Sequence, residues 1–380
     1  HTSHWILTMP RLQPRMLHRA RSIDSLLPLV LQGTRDLASA KNELRWLREF
    51  TIEQQQKQRS LKGWNTQHKL RRLCIERARG KPLQYIMGTE YFGDLEIACE
   101  AGVLIPRQET AASVTHLIKR LHQGTQPLPK HLKILDLCTG TGCIPLLAYH
   151  EFVTKHGRTS NDLEVVGVDI SPQALRLANK NRHRLCSEGT LPPDPSLRFL
   201  QADVLATSHD NTTTEPPSLV SVLHNDISTS PKPTWDILIS NPPYISPTAF
   251  ATTTTRSVKR YEPLLALVPS SSSSNLPLTP SIDDGDIFYP PLLSIATKVS
   301  ARIILFEVAD LEQAHRVAVM AKEQGIWDGV EIWRDDPGSD DGEANTNDMG
   351  GTRGIKVCGQ GNGRSVVAYR GDAVGWLGGK

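Results

Sequence analysis

The spacing of apolar positions changes character twice along the chain. From about Ser22 to Arg79 it is helical. Leu26, Leu27, Leu29, Val30 and Leu31 form one run, Ala38, Leu44, Trp46, Leu47 and Phe50 a second, and Leu61, Leu70, Leu73, Ile75 and Ala78 a third. The glutamine-rich stretch 53–57 reads as solvated, and Gly80 and Pro82 end the pattern. This predicts a small helical domain over 22–82 that presents a surface rather than chemistry. Residues 83–105 then break into short extended pieces around Tyr85, Phe92, Leu95, Ile97 and Ile105, punctuated by Gly88, Gly93 and Gly102. They are expected to form a hairpin linker between two domains. A helix is expected over 109–121.

Beyond Pro129 strand-like and helix-like segments alternate, which implies an α/β domain over 106–380: a largely parallel sheet covered by helices on both faces. Seven strands are predicted, at 133–137, 164–169, 197–202, 235–240, 302–308, 330–334 and 365–370, the last two joined around a turn. Three segments read as polar surface inserts instead: 207–232, 269–285 and 336–364 are dominated by Ser, Thr, Pro, Gly, Asn or Asp.

Composition adds limits. The inserts account for a hydrophobic fraction of only 38%, and a net charge of +3 argues for no particular partner. The six cysteines form no C-x-x-C pair, so neither a metal nor a disulfide is expected and a reducing compartment is the simpler reading. No apolar run approaches the length needed to cross a bilayer. Up to Asp24 the chain has no acid, while Arg11, Arg15, Arg19 and Arg21 recur among apolar residues. Residues 1–21 thus read as a basic leader of mitochondrial type, with a basic first helix as the alternative.

The chemistry begins at 134–144, Ile-Leu-Asp-Leu-Cys-Thr-Gly-Thr-Gly-Cys-Ile. This is a buried strand, a glycine turn and a helix start, with Gly140 and Gly142 expected to let the backbone approach a ligand closely. The next strand ends in Asp169, placed to accept from ribose hydroxyls, and the third runs into Asp203, placed to meet an adenine amino group. Asp136, Asp169 and Asp203 then mark one edge of the sheet. A dinucleotide enzyme would more usually show G-x-G-x-x-G, whereas Pro145 stands three residues after Gly142. An adenosine-bearing cofactor of another kind fits better.

The fourth strand ends in Asn241-Pro242-Pro243-Tyr244. Two prolines fix the path of the chain out of the strand. The Asn241 side-chain oxygen and the Pro242 carbonyl can then converge as acceptors on a planar –NH2 group, with Tyr244 as a flat face to stack it. Accepting both hydrogens would aim the lone pair of a poor nucleophile at an electrophilic methyl, by positioning rather than by a strong base.

With these motifs in place the sequence resembles the HemK/PrmC family, the protein-(glutamine-N5) methyltransferases that modify peptide-chain release factors. The resemblance also rests on Pro82-Leu83-Gln84-Tyr85-Ile86 with Gly88, on Leu104-Ile105-Pro106-Arg107-Gln108-Glu109-Thr110, and on Tyr261-Glu262-Pro263-Leu264. It implies a class I, Rossmann-like methyltransferase sheet of seven strands, the last antiparallel. The helical domain would recognise the substrate, and S-adenosylmethionine would be the cofactor, with no metal. By the resemblance Asp136, Thr139, Gly140, Thr141, Gly142, Asp169, Asp203, Val204 and Asn241 contact that cofactor. Asn241, Pro242, Pro243 and Tyr244 hold the glutamine of a Gly-Gly-Gln motif, with Asn241, Pro242 and Tyr244 catalytic. Arg107 and Glu262 line the site, either as a structural ion pair or as substrate contacts. Cys138 departs from the family, whose bacterial members usually have glycine there. The implied partner is a release factor, met by a monomeric, mitochondrial enzyme without membrane or direct nucleic-acid binding. The Asn-Pro-Pro-Tyr element alone is shared with enzymes that methylate nucleic-acid amines. A nucleic-acid amine, a ribosomal-protein glutamine and a non-catalytic assembly role therefore stand as the alternatives.

Overall fold

The computed structural model describes residues 12–57, 65–155, 157, 162–206, 216–226, 234–269, 283–339 and 355–378. They group into two compact units, one running to Thr89 and including Thr255–Tyr261, the other comprising Glu90–Thr254 and Glu262–Lys380.

The first unit is built from α1 (Pro14–Ile23), α2 (Leu27–Thr34), α3 (Leu37–Lys57), α4 (Thr66–Ala78) and α5 (Leu83–Met87). On α3, Ala40, Leu44, Leu47 and Thr51 point inward, the spacing that keeps one stripe on the core. Ala38 and Trp46, grouped with them by the apolar pattern, face out. Each lies two residues from a buried position, and two residues turn a helix by about 200°. Glu43 bonds Arg77 at 2.6 and 3.1 Å, tying α3 to α4. Asn65 caps α4 by accepting from His68 N.

Two expectations change here. Residues 83–87 are helical rather than extended, because Pro82 precedes the turn and Gly88, at φ +87°, closes it by donating to Gln84 O at 2.7 Å. The expected leader, drawn to residue 21, overlaps α1: Ala20 is fully buried, and Leu12, Met16 and Leu17 pack against the same core. Residues 1–11 lie outside the described residues.

In the second unit a hairpin, β1 (Thr89–Phe92) and β2 (Leu95–Ala98), precedes α6 (Gln108–Gln123). Then follow β3 (Leu132–Leu137), α7 (Cys143–His150), β4 (Leu163–Asp169), α8 (Pro172–Ser187), β5 (Leu197–Gln201), α9 (Leu219–Asp226) and β6 (Ile237–Ser240). After α10 (Pro247–Thr252) and α11 (Arg256–Tyr261, counted with the first unit) come α12 (Tyr289–Lys298), β7 (Ile303–Glu307) and α13 (Leu311–Glu323). β8 (Gly329–Asp336), β9 (Lys356–Cys358), β10 (Gln360–Tyr369) and α14 (Ala373–Trp376) complete it. The larger sheet has the order β5-β4-β3-β6-β7-β10-β8-β9. Strands β3 to β7 pair in parallel, and β10 runs antiparallel between β7 and β8.

Its strands are apolar on both faces, as a covered parallel sheet requires. Ile303 and Leu305 of β7 enter one core cluster, Ile304 and Phe306 the other. The sheet exceeds the seven expected strands by β9, which pairs with β8. This also corrects the insert drawn over 336–364: Ile355 is buried and 356–364 are largely strand. The insert over 207–232 likewise contains a helix, α9, whose Leu219 and Leu223 are buried. Two leucines four residues apart supply a helix face that the average polarity of the segment hides. Residues 270–282 lie outside the described residues.

From β3 the chain winds outward through β4 to β5, then returns to place β6 on the other flank of β3. Strand order reverses between β3 and β6, and in an open α/β sheet ligands bind at that point, beyond the carboxyl ends of the strands. Leu137 and Ser240 are register partners there, and Ser240 Oγ donates to Leu137 O at 2.8 Å. Cys138 and Asn241 follow directly.

Candidate active site

The cleft at this reversal encloses about 1130 Å³, counted out to its open mouth. Thr139, Gly140, Thr141, Asp169, Asp203 and Val204 line it on the β3–β5 side, and Arg107, Asn241 and Pro243 elsewhere. Asp136, Gly142, Pro242, Tyr244 and Glu262 are not among the lining residues.

The turn after β3 is left-handed at three places: Cys138 (φ +64°), Gly140 (φ +55°) and Gly142 (φ +78°). It is tied down by Thr139 N donating to Val168 O at 2.9 Å. Gly140 and Gly142, expected to let the backbone approach a ligand closely, differ in what surrounds them. A Cβ on Gly140 would meet no protein atom within 4 Å and would face the cleft it lines, and its left-handed φ favours glycine as well. A Cβ on Gly142 would meet Phe199 Cζ at 2.8 Å and Ala178 Cβ at 2.9 Å, protein rather than ligand space. Cys138 carries a side chain in a conformation that costs an L-residue about 1–2 kcal/mol, so the departure from glycine strains the turn. Asn181 braces the same turn by donating to Thr141 O at 3.0 Å and Ala98 O at 3.2 Å. Nothing in the local sequence marked it.

Asp169 accepts from Gly140 N at 2.8 Å on one carboxylate oxygen and from Ser171 N at 2.9 Å on the other. Burial nonetheless moves its pKa upward. Asp203 follows β5 by two residues and accepts from Leu205 N at 2.8 Å. Asp136 lies within β3 rather than at its tip and is fully buried. Burial, and secondarily Asp169, drive its pKa well above the usual carboxylate value. The Thr139 hydroxyl opposes that rise without meeting bond geometry: both Asp136 oxygens and the hydroxyls of Thr139 and Thr141 are buried without a hydrogen-bond partner. Buried polar atoms rarely stay unpaired in a complete site. Thr139 and Thr141 line the cleft, where their hydroxyls fit a ligand carrying amino or hydroxyl groups, while Asp136 lies behind them.

On the β6–β7 side, Asn241 Nδ2 donates to Thr110 Oγ1 at 3.4 Å, and Asn241 Oδ1 is buried without a partner. Thr110 Oγ1 donates in turn to Glu307, the last residue of β7, and Tyr244 OH donates to the other oxygen of Glu307 at 3.3 Å. Burial pushes Glu307 up to about 7 against the pull of Thr110, Arg364, Tyr244 and Arg107. Tyr244 lines an adjacent cleft with Ile245, Asp310 and Gln313. Gln313 Nε2 holds this loop by donating to Tyr244 O at 3.2 Å and Gly285 O at 3.1 Å. Glu307 and Gln313 were not singled out from sequence, and Thr110 stood only as the last residue of the 104–110 motif, with no role assigned. Glu307 left a signal of its own, a lone acid closing an otherwise apolar strand.

Arg107 and Glu262 form the ion pair that sequence left open, both contacts at 2.8 Å, and Glu262 also accepts from Ile105 N at 3.3 Å. Burial works against the Arg107 charge, but Glu262 more than offsets it and the pKa rises. The pair clamps the 104–107 segment to the segment starting at Glu262, and both supply wall residues of the cleft.

A parallel sheet reversing between β3 and β6, one antiparallel strand inserted next to β7, and a glycine turn at the reversal define a class I methyltransferase, whose methyl donor is S-adenosylmethionine. Comparison with known proteins narrows the class. The N-6 DNA methylase family matches residues 109–277. The probable MRF1 mitochondrial N(5)-glutamine methyltransferase mtq1 of Schizosaccharomyces pombe is 36% identical over 273 residues, 70% of this chain and 75% of the relative. The mitochondrial MRF1 N(5)-glutamine methyltransferase MTQ1 of Saccharomyces cerevisiae is 32% identical over 68% of each chain. The release factor glutamine methyltransferase of Chlorobaculum tepidum is 33% identical over 52% of this chain and 56% of its own. The chain belongs to this family of N(5)-glutamine methyltransferases.

Proposed function

We propose that the chain methylates the side-chain amide nitrogen of the glutamine in the Gly-Gly-Gln motif of a class I peptide-chain release factor, and that its substrate is the mitochondrial factor. The relatives named for mitochondrial MRF1 support the acceptor and the compartment. The observation that carries the chemistry is Asn241 Oδ1, a buried acceptor with no protein partner on a residue lining the cleft. An amide –NH2 is the complementary group.

In this reading Asp169 uses its remaining lone pairs on ribose hydroxyls and Asp203 meets the adenine. Thr139 and Thr141 satisfy polar groups at the other end of the cofactor, with Asp136 buried behind them. Gly140 and Val204 give it wall, and Gly142 shapes the turn from behind. S-adenosylmethionine, when bound, supplies a methyl carbon made electrophilic by its sulfonium. Asn241, with the Pro242 carbonyl, accepts both hydrogens of the glutamine amide, weakening conjugation of the nitrogen lone pair with its own carbonyl. That lone pair forms the new C–N bond as the methyl carbon's bond to sulfur breaks, leaving S-adenosylhomocysteine, and the nitrogen releases one proton to solvent. Pro243 shapes the wall, Tyr244 supports it from the adjacent cleft through its bond to Glu307, and the Arg107–Glu262 pair holds the wall together.

Peptide mass spectrometry of a mitochondrial release factor, incubated with the protein and S-adenosylmethionine, tests this. One methyl on the Gly-Gly-Gln glutamine, with initial rates lowered about 10²–10³-fold in Asn241→Ala, is expected. A factor left unmodified by a protein that binds the cofactor refutes it.

A further inference from the structure

The hydrogen-bond chain behind Asn241 decides which end of its amide faces the cleft. A threonine hydroxyl has one hydrogen. Thr110 gives that hydrogen to Glu307, so towards Asn241 it can only accept, and it does so from Nδ2. Oδ1 is thereby turned away as the acceptor without a partner. Were Glu307 to carry a proton, it could donate to Thr110. The Thr110 hydrogen would then turn to Asn241 and favour the reversed amide. An –NH2 would face the glutamine –NH2, donor against donor.

We propose that Glu307 is a positioning residue for methyl transfer, acting through Thr110 to keep the carbonyl end of the Asn241 amide toward the acceptor. This rests on the glutamine-amide reading above. The position of Glu307 suits the task. It closes β7 beside β6, whose last residue Ser240 registers with Phe306, so Glu307 and Asn241 follow neighbouring partners. Its carboxylate meets Thr110 from α6 and Tyr244 from the loop after β6, while its own carbonyl accepts from Tyr289 of α12 at 2.9 Å. The cations nearby are already engaged, Arg107 with Glu262 and Arg364 with Asp335. Both lower the Glu307 pKa without binding it, and burial outweighs them, leaving it at about 7. The tyrosines facing it are held above their ordinary value by burial. Ser365, its register partner on β10, is paired with Ser113.

The test is the pH-rate profile of the full chain on the release factor. Wild-type kcat should rise with pH through about 7, falling about tenfold for each unit below it. Glu307→Gln should lower kcat with little change in KM for the factor and abolish that limb, leaving the rate flat from pH 6 to 8.5. S-adenosylhomocysteine binding should stay within about twofold, because Glu307 does not line the cleft. A merely structural Glu307 would cost stability but leave the limb in place. Should Glu307→Gln not fold, Thr110→Ser, which keeps the relay, must retain the limb and Thr110→Val must lose it. A limb that persists in Glu307→Gln or Thr110→Val, or a flat wild-type profile, overturns the inference alone. A wild-type chain that binds cofactor yet never methylates the factor overturns the glutamine reading and this inference with it.

Discussion

On the β3–β5 side of the cleft the polar groups are set largely by backbone. Residues 138–142 form a left-handed turn, Asp169 is aimed by two main-chain N–H groups, and Asp203 follows its strand by two residues. On the β6–β7 side they are set by side chains from separate elements: Thr110 on α6, Asn241 and Tyr244 after β6, Glu307 on β7. The first side can be kept by any sequence that preserves a few local conformations. The second fails when one hydroxyl or one charge is lost. A backbone site therefore fails through folding, whereas a side-chain site can also fail through rate alone.

Substitutions can break or sharpen that contrast. The largest effect expected on the side-chain half is the 10²–10³-fold loss in Asn241→Ala, with unfolding little changed. Next is the pH dependence of stability carried by Glu307. Its folded pKa of about 7 lies above the ordinary 4.5. Its contribution is thus full below about 4.5 and lost as pH rises through about 7. Relative to wild type, Glu307→Gln should gain about 3 kcal/mol between pH 4.5 and pH 8, read from urea unfolding at both. Equal shifts at the two pH values would show that Glu307 does not titrate in this range. Arg107→Ala, which strands a nearly buried Glu262, should cost about 3 kcal/mol in the same assay.

The backbone half separates by glycine. Gly142→Ala should destabilise by about 2–3 kcal/mol, combining left-handed strain with the clash on Phe199 and Ala178, whereas Gly140→Ala should cost only about 1. Equal melting shifts would contradict the division of labour between them. The smallest effect is a gain: Cys138→Gly should stabilise by about 1 kcal/mol, since it relieves a side chain at φ +64°.

The same contrast explains what could be read beforehand. The glycine turn, Asp169, Asp203 and Asn241 are local signals, each announced by the residues beside it, and the strands around them alternate clearly enough to give the class of fold. Thr110 and Glu307 meet across 197 positions, and Asn181 reaches Ala98 across 83. No local pattern encodes such pairings. Tyr244 shows the limit of motif reading: its place in Asn-Pro-Pro-Tyr was plain, but not its bond to Glu307 or its cleft. The segments misjudged as inserts failed differently. α9 buries Leu219 and Leu223, and Ile355 is buried just before β9, inside stretches whose average composition is polar.

The central claim is that the cleft takes a glutamine amide. The most direct test is transfer of labelled methyl from S-adenosylmethionine to a mitochondrial release factor, compared with the same factor carrying glutamate in place of its Gly-Gly-Gln glutamine. Label on the glutamine factor alone is the predicted result, since a carboxylate offers Asn241 no hydrogen. Equal labelling of both, or label appearing instead on added RNA, would contradict it.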